Sequence, residues 1–84
     1  MELYKEVKNV GSKEDFLKFL GMLINDFKNN PDEWENKSVE SFIEGMQSWV
    51  EDMEGYYENN NVPIPNNIDW GFFANVFYAG KIYE

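Results

Sequence analysis

Apolar residues return along this chain at the three-and-four spacing of an α-helix, in three blocks separated by polar connections. In the first block Phe16, Leu20, Leu23, Ile24 and Phe27 share one face, widened by Leu17 and Phe19. Ser12 stands in front as an N-cap, and Glu14 and Asp15 fill the first turn, where the helix dipole favours acids. Lys28-Asn29-Asn30-Pro31 closes the block, because Pro cannot continue a helix. The second block is the longest: Val39, Phe42, Ile43, Met46, Trp49, Val50 and Met53, with Tyr57 on its extension and either Asn36 or Ser38 as the cap. Gly55 either lies within it or ends it, and an end there would turn Tyr56 and Tyr57 outward. The third block puts Phe73, Val76 and Phe77 on one side behind an Asp69 cap, with Trp70 at its start. Gly80 either ends this helix or sits inside it.

Between the blocks, Asn59 to Asn67 carries Pro63 and Pro65 and reads as an extended loop, pinned to the core by Val62 and Ile64. Ahead of Gly11, Leu3, Val7 and Val10 form a helical face or an extended segment packed under the core. The expected fold is an all-α antiparallel bundle of three main helices, about 12–29, 37–58 and 69–82, with a short fourth segment at the N-terminus. The alternative is α+β, with residues 1–10 or 61–65 paired as strands.

Composition sharpens this picture. Eighty-four residues make one small domain, 1–84, in which large side chains must supply most of the burial. Fifteen aromatics do so, and Trp49 and Trp70 read as core. Trp34, in a polar connection, either lids the corner between the first two helices or stands exposed for binding. Asn36 beside it reads as a cap.

Sixteen Asp and Glu face seven Lys, with no Arg, His or Cys. Disulfides, thiolate chemistry, Cys/His zinc sites and His-assisted nucleophiles are therefore excluded. Asp32, Glu33 and Glu35 lack the alternate spacing and Gly of a calcium loop. A carboxylate pair for glycoside hydrolysis has no evident cleft in so small a bundle. The chain is expected to be no enzyme, with no cofactor and no metal. The Met1–Lys5 start has no apolar signal core, and no run approaches the roughly 20 residues of a membrane span. A cytoplasmic location follows, in which the acceptor pattern Asn36-Lys37-Ser38 stays unglycosylated. A net charge of −9 disfavours nucleic acid and anionic membranes, and it favours a basic partner or simply solubility.

The second helix departs from its own local rules. Glu40, Glu44, Gln47, Glu51, Glu54 and Glu58 form one stripe with no compensating Lys beyond Lys37 near its start. Glu40–Glu44 and Glu51–Glu54 are like-charge neighbours, each unfavourable by roughly 0.2–0.5 kcal/mol. Glu51, Asp52, Glu54 and Glu58 also crowd the C-terminal half, where the dipole disfavours them. Such a departure marks either functional surface or a solvated acidic face whose repulsion salt screens. With Tyr56 as an interface anchor beside these acids, the candidate partner-binding residues are Glu51, Asp52, Glu54, Tyr56 and Glu58, with Trp34 added if exposed.

The words Val10-x-Ser12-x-Glu14-Asp15-Phe16-x-x-Phe19-Leu20, Glu33-Trp34-Glu35-Asn36, Trp49, Trp70-x-x-Phe73-Ala74 and the closing Tyr83-Glu84 resemble a family of small bacterial proteins catalogued as a domain of unknown function. The resemblance covers nearly the whole chain. It implies a bacterial origin and a self-contained domain, and it supplies no catalytic residues. A weaker resemblance, in surface design, is to the immunity proteins of DNase colicins, acidic four-helix proteins that bind a basic toxin domain through an acidic helix and a Tyr-Tyr pair. The matching positions are Met1-Glu2-Leu3, Phe16-Leu17, Glu51, Asp52, Glu54 and Tyr56-Tyr57. Glu58 stands where that family has a Pro after the tyrosines, the acids just before them differ, and the C-terminal helix here is far more aromatic.

The leading expectation is a non-enzymatic interaction module, of immunity type, that holds a basic protein against the acidic face of the second helix. The alternatives are a homodimer packed through exposed Trp34, Phe72 and Tyr78, or small-ligand binding between aromatic helices.

Overall fold

The computed structural model describes residues 3–64 and 67–83. Met1, Glu2, Pro65 and Glu84, which the readings above invoke, lie outside them. The chain is all-α: α1 (Leu3–Glu6) runs into a 3₁₀ turn (Val7–Asn9), followed by α2 (Lys13–Asn29), a second 3₁₀ turn (Pro31–Glu33), α3 (Val39–Asn59) and α4 (Trp70–Ile82). Among the described residues there is no strand, so the α+β alternative falls. Leu3, Val7 and Val10 point inward from the N-terminal turns and are buried.

Side-chain caps fix the ends. Ser12 accepts from the Asp15 amide, and Asp69 accepts from the Phe72 amide. Ser38, rather than Asn36, caps α3, in a reciprocal box with Ser41. Gly55 does not end α3, which continues to Asn59. The stop comes at Asn61, in the left-handed region at φ 56°, a conformation Asn tolerates. The Val62 amide then folds back onto the Tyr57 carbonyl at 3.0 Å. Val62 and Ile64 remain about half exposed and do not anchor the loop.

α4 is apolar nearly all round and is the central helix. Ala74 packs with Leu3, Val7, Phe19, Leu23 and Trp34 on one side. On the other, Ala79 packs with Trp49 and Tyr57. α3 runs antiparallel to α4 and approaches it closely at Gly45 and Gly80, both buried. A methyl at Gly45 would lie 2.7 Å from the Asn36 Nδ2 and 2.7 Å from the Tyr83 carbonyl oxygen. Gly80 thus sits inside the helix, against the Phe42 ring.

α2 and α3 both lie against α4, but their backbones scarcely approach each other. That rotates their buried faces away from the expected stripes. On α2 the buried side chains are Phe19 and Leu23, whereas Leu17 and Ile24 are each 57% exposed. On α3 Trp49 and Tyr57 are buried, whereas Val39, Ile43 and Val50 are exposed. Trp70 is not core; it lies at the surface with its ring 5.7 Å from Phe16.

The connection between α2 and α3 closes the bundle. Trp34 is buried, the lid alternative, and its indole Nε1–H donates to Asp26 Oδ2 at 2.7 Å. Lys81 Nζ reaches the same oxygen at 2.8 Å and lies 5.7 Å from the Trp34 ring centre. Two residues on, Asn36 caps the far end of α4: its Nδ2 donates to the Gly80 and Tyr83 carbonyls at 2.9 and 2.8 Å. In the extended segment Trp34 and Asn36 face inward, while Glu35 between them faces solvent.

Burial pushes the Asp26 pKa up, but the Lys81 and Trp34 hydrogen bonds and the Lys81 charge outweigh it, and the carboxyl ends below its ordinary 3.8. A lowered carboxylate contributes stability above its unfolded pKa, and that contribution is lost as pH falls through the folded value. Asp26→Asn should therefore cost about 3 kcal/mol at neutral pH by stranding Lys81. It should also flatten the loss of stability below about pH 4, read by urea unfolding across pH. Gly45→Ala should destabilise by about 1–3 kcal/mol through overlap, exceeding the roughly 1 kcal/mol of helix propensity gained. Gly21→Ala, where a methyl meets nothing within 4 Å, should stabilise by up to about 1 kcal/mol in the same assay.

Candidate functional site

The close approach of α3 and α4, with the N-terminal turns laid across them, leaves a cleft of about 590 Å³. Its walls are aromatic: Trp49 and Tyr56 from α3, Tyr78 from α4, Tyr83 just beyond it, and Tyr4 from α1. Asp52 supplies a carboxylate, and Lys8, Asn59 and Asn75 complete the polar lining. Asp52 and Tyr56 come together because they lie four residues apart on one helical flank.

Tyr56 is not the free anchor that the sequence suggests. It is half-buried, its ring edge-on to Trp49 at 5.4 Å and to Tyr57 at 5.1 Å. Because α3 continues through Gly55, the two tyrosines stay on the helix, and Tyr57 turns inward and is buried. Burial raises the Tyr57 pKa, and it raises that of Tyr78 as well.

Tyr83 donates its hydroxyl to Asp52 Oδ2 at 2.6 Å, across 31 positions of sequence. That bond to a carboxylate pushes the Tyr83 pKa above its ordinary 10.0. It also holds the Asp52 carboxylate at the mouth of the cleft, with its other oxygen available to a cation. Aromatic faces around one carboxylate suit an ammonium or guanidinium group, which gains both ion pairing and ring-quadrupole attraction.

The other predicted residues are distributed differently. Glu51, Glu54 and Glu58 are exposed on the back of α3, in line with Glu40 and Glu44, and do not line the cleft. Among the described residues, none of the acids of α3 has a basic partner within ion-pair distance. Trp34 lies in the core beneath the α2–α3 connection, apart from both. Phe72 and Tyr78, expected across a dimer, are half-buried. The reading from sequence missed Tyr4, Tyr78 and Tyr83 as cleft walls. The one local signal was the Tyr4–Lys8 spacing of four on a helical turn. No group of three or more described carboxylates converges to hold a metal ion, and no described helix is long and apolar enough to cross a membrane.

Residues 12–84 match the model of a family of unknown function (DUF7660), and the chain belongs to that family. No curated protein and no solved structure matches it.

The Tyr83–Asp52 bond has a direct spectroscopic consequence. A raised tyrosine pKa means that the bond contributes below the unfolded value and is lost as pH rises through the folded one. In a residue-resolved NMR titration, Asp52→Ala should bring the Tyr83 ring down toward 10.0. An unchanged titration would show that the bond does not form in solution.

Proposed function

We propose that this member of the family is a non-catalytic, cytoplasmic interaction module of bacterial origin that captures a basic protein. A lysine or arginine side chain of the partner enters the cleft between Tyr56, Tyr83 and Trp49, with Asp52 as its counter-ion. Glu51, Glu54 and Glu58 steer approach from outside the contact. One observation supports this most strongly: a carboxylate held at the mouth of an aromatic cleft, beside unpaired acids on a chain of net charge −9. An immunity-type inhibitor that occludes a basic toxin domain is one form of this reading.

The division of labour follows from the geometry. Exposed acids act through a screened field, so they set association rate. The cleft acts through desolvated contact, so it sets residence time. Its volume also falls in the range of small-molecule sites, and a small organic cation would be held by the same groups.

The test is an NMR titration with a short arginine-containing peptide and its Arg→Gln counterpart. The arginine peptide should shift the Trp49 indole and the Tyr56 and Tyr83 rings, and Asp52→Ala should abolish those shifts. Reversing Glu51, Glu54 and Glu58 to Lys should slow association about tenfold at low salt and little at high salt. Equal binding of both peptides, or shifts that bypass the cleft, would refute the proposal.

A further inference from the structure

On the flank of α3 opposite the cleft, the gap between α2 and α3 is an open apolar groove of about 570 Å³, floored by Trp34, Phe42 and Phe77. Ile24, Phe27 and Val39 line it, and the apolar face continues beyond it along both helices, left uncovered by the packing on α4. α2 contributes Leu17, Ile24 and Phe27, which are 57%, 57% and 39% exposed. α3 contributes Val39, Ile43 and Val50, at 76%, 53% and 41%. We propose that this face is a two-fold interface with a second copy of the chain, α2 of one copy lying antiparallel on α3 of the other.

Area and charge both favour a second copy. The six side chains offer on the order of 500 Å² of apolar surface, so face-to-face burial of about 1,000 Å² reaches the lower bound of a specific interface. A two-fold contact requires a self-complementary face. Here Lys28, at the C-terminal end of α2, and Lys37, which pairs with Asp32 at 3.9 Å, line the groove, and no carboxylate does. The outer border of the α3 stripe is acidic, with Glu40 and Glu54 next to Val39, Ile43 and Val50 around the helix. With the two-fold axis parallel to the helices, Lys28 of each copy comes over Glu40 of the other. The four helices then form a bundle at the interface. Both clefts face outward, so the dimer presents two of them.

Sedimentation equilibrium over a wide concentration range tests this. The mass should rise from 10.0 kDa toward twice that value as concentration increases. Ile43→Asp and Ile24→Asp should each raise the dissociation constant about tenfold or more with unchanged circular dichroism, because both side chains lie outside the core. Lys28→Glu and Glu40→Lys should each weaken the dimer alone. Mixed one to one, they should restore it as a heterodimer, since both cross-interface pairs are then of opposite sign. A monomer at every concentration, a dimer indifferent to Ile43→Asp and Ile24→Asp, or a mixture that fails to recover association would overturn the proposal.

Discussion

A single carboxylate oxygen, Asp26 Oδ2, ties three parts of the chain together. It accepts the Trp34 indole N–H from the connection and the Lys81 ammonium from the last turn of α4, and both charged side chains are nearly buried, at 13% and 12% exposure. An ion pair so enclosed gains little over an apolar contact when intact, but losing one partner strands a buried charge. Its role is to specify geometry. With Trp34 fixed, Asn36 falls two residues later onto the C-terminal carbonyls of α4 and satisfies acceptors that a helix end leaves open. With that end fixed, Tyr83 reaches Asp52 and the mouth of the cleft is set.

The other constraint is the central position of α4. Its small residues, Ala74, Ala79 and Gly80, let α2, α3 and the N-terminal turns approach from different sides. Because each neighbour buries its own face against α4, α2 and α3 need not meet. The molecule is only 18 Å across its thinnest dimension. The helices therefore retain apolar banks around an open groove on one flank of α3 and an aromatic cleft on the other, with the acidic stripe between them on its outer surface. Local charge repulsion along α3 is tolerated because water and salt screen that surface.

Much of the fold was legible because its signals are local. Ser12 and Asp69 announce helix starts through short-range capping, and the apolar spacing of 39 to 57 marks a long helix without reference to anything else. Periodicity identifies a face but not the neighbour that covers it. With α4 in the centre, burial turned toward Phe19 and Leu23, and Ile24 and Val39 were left outside. The candidate site was legible only in half. Asp52 and Tyr56 share a helical flank that spacing reveals, whereas Tyr4 and Tyr83 join them through tertiary packing. Asp26 stands off the apolar stripe of α2, and nothing near it in sequence marks Lys81 as its partner. Asn36 reads as a cap for the start of α3, but it caps the end of α4 instead, at a Gly80 carbonyl 44 residues further along the chain.

The most direct test of this account is hydrogen exchange at the Trp34 indole N–H, the proton that Asp26 holds. If the node closes the bundle, that proton exchanges only through global unfolding, with a protection free energy equal to the stability measured by urea and falling in parallel in Asp26→Asn. Exchange near the rate of an exposed indole, in a protein that is otherwise stably folded, would contradict it.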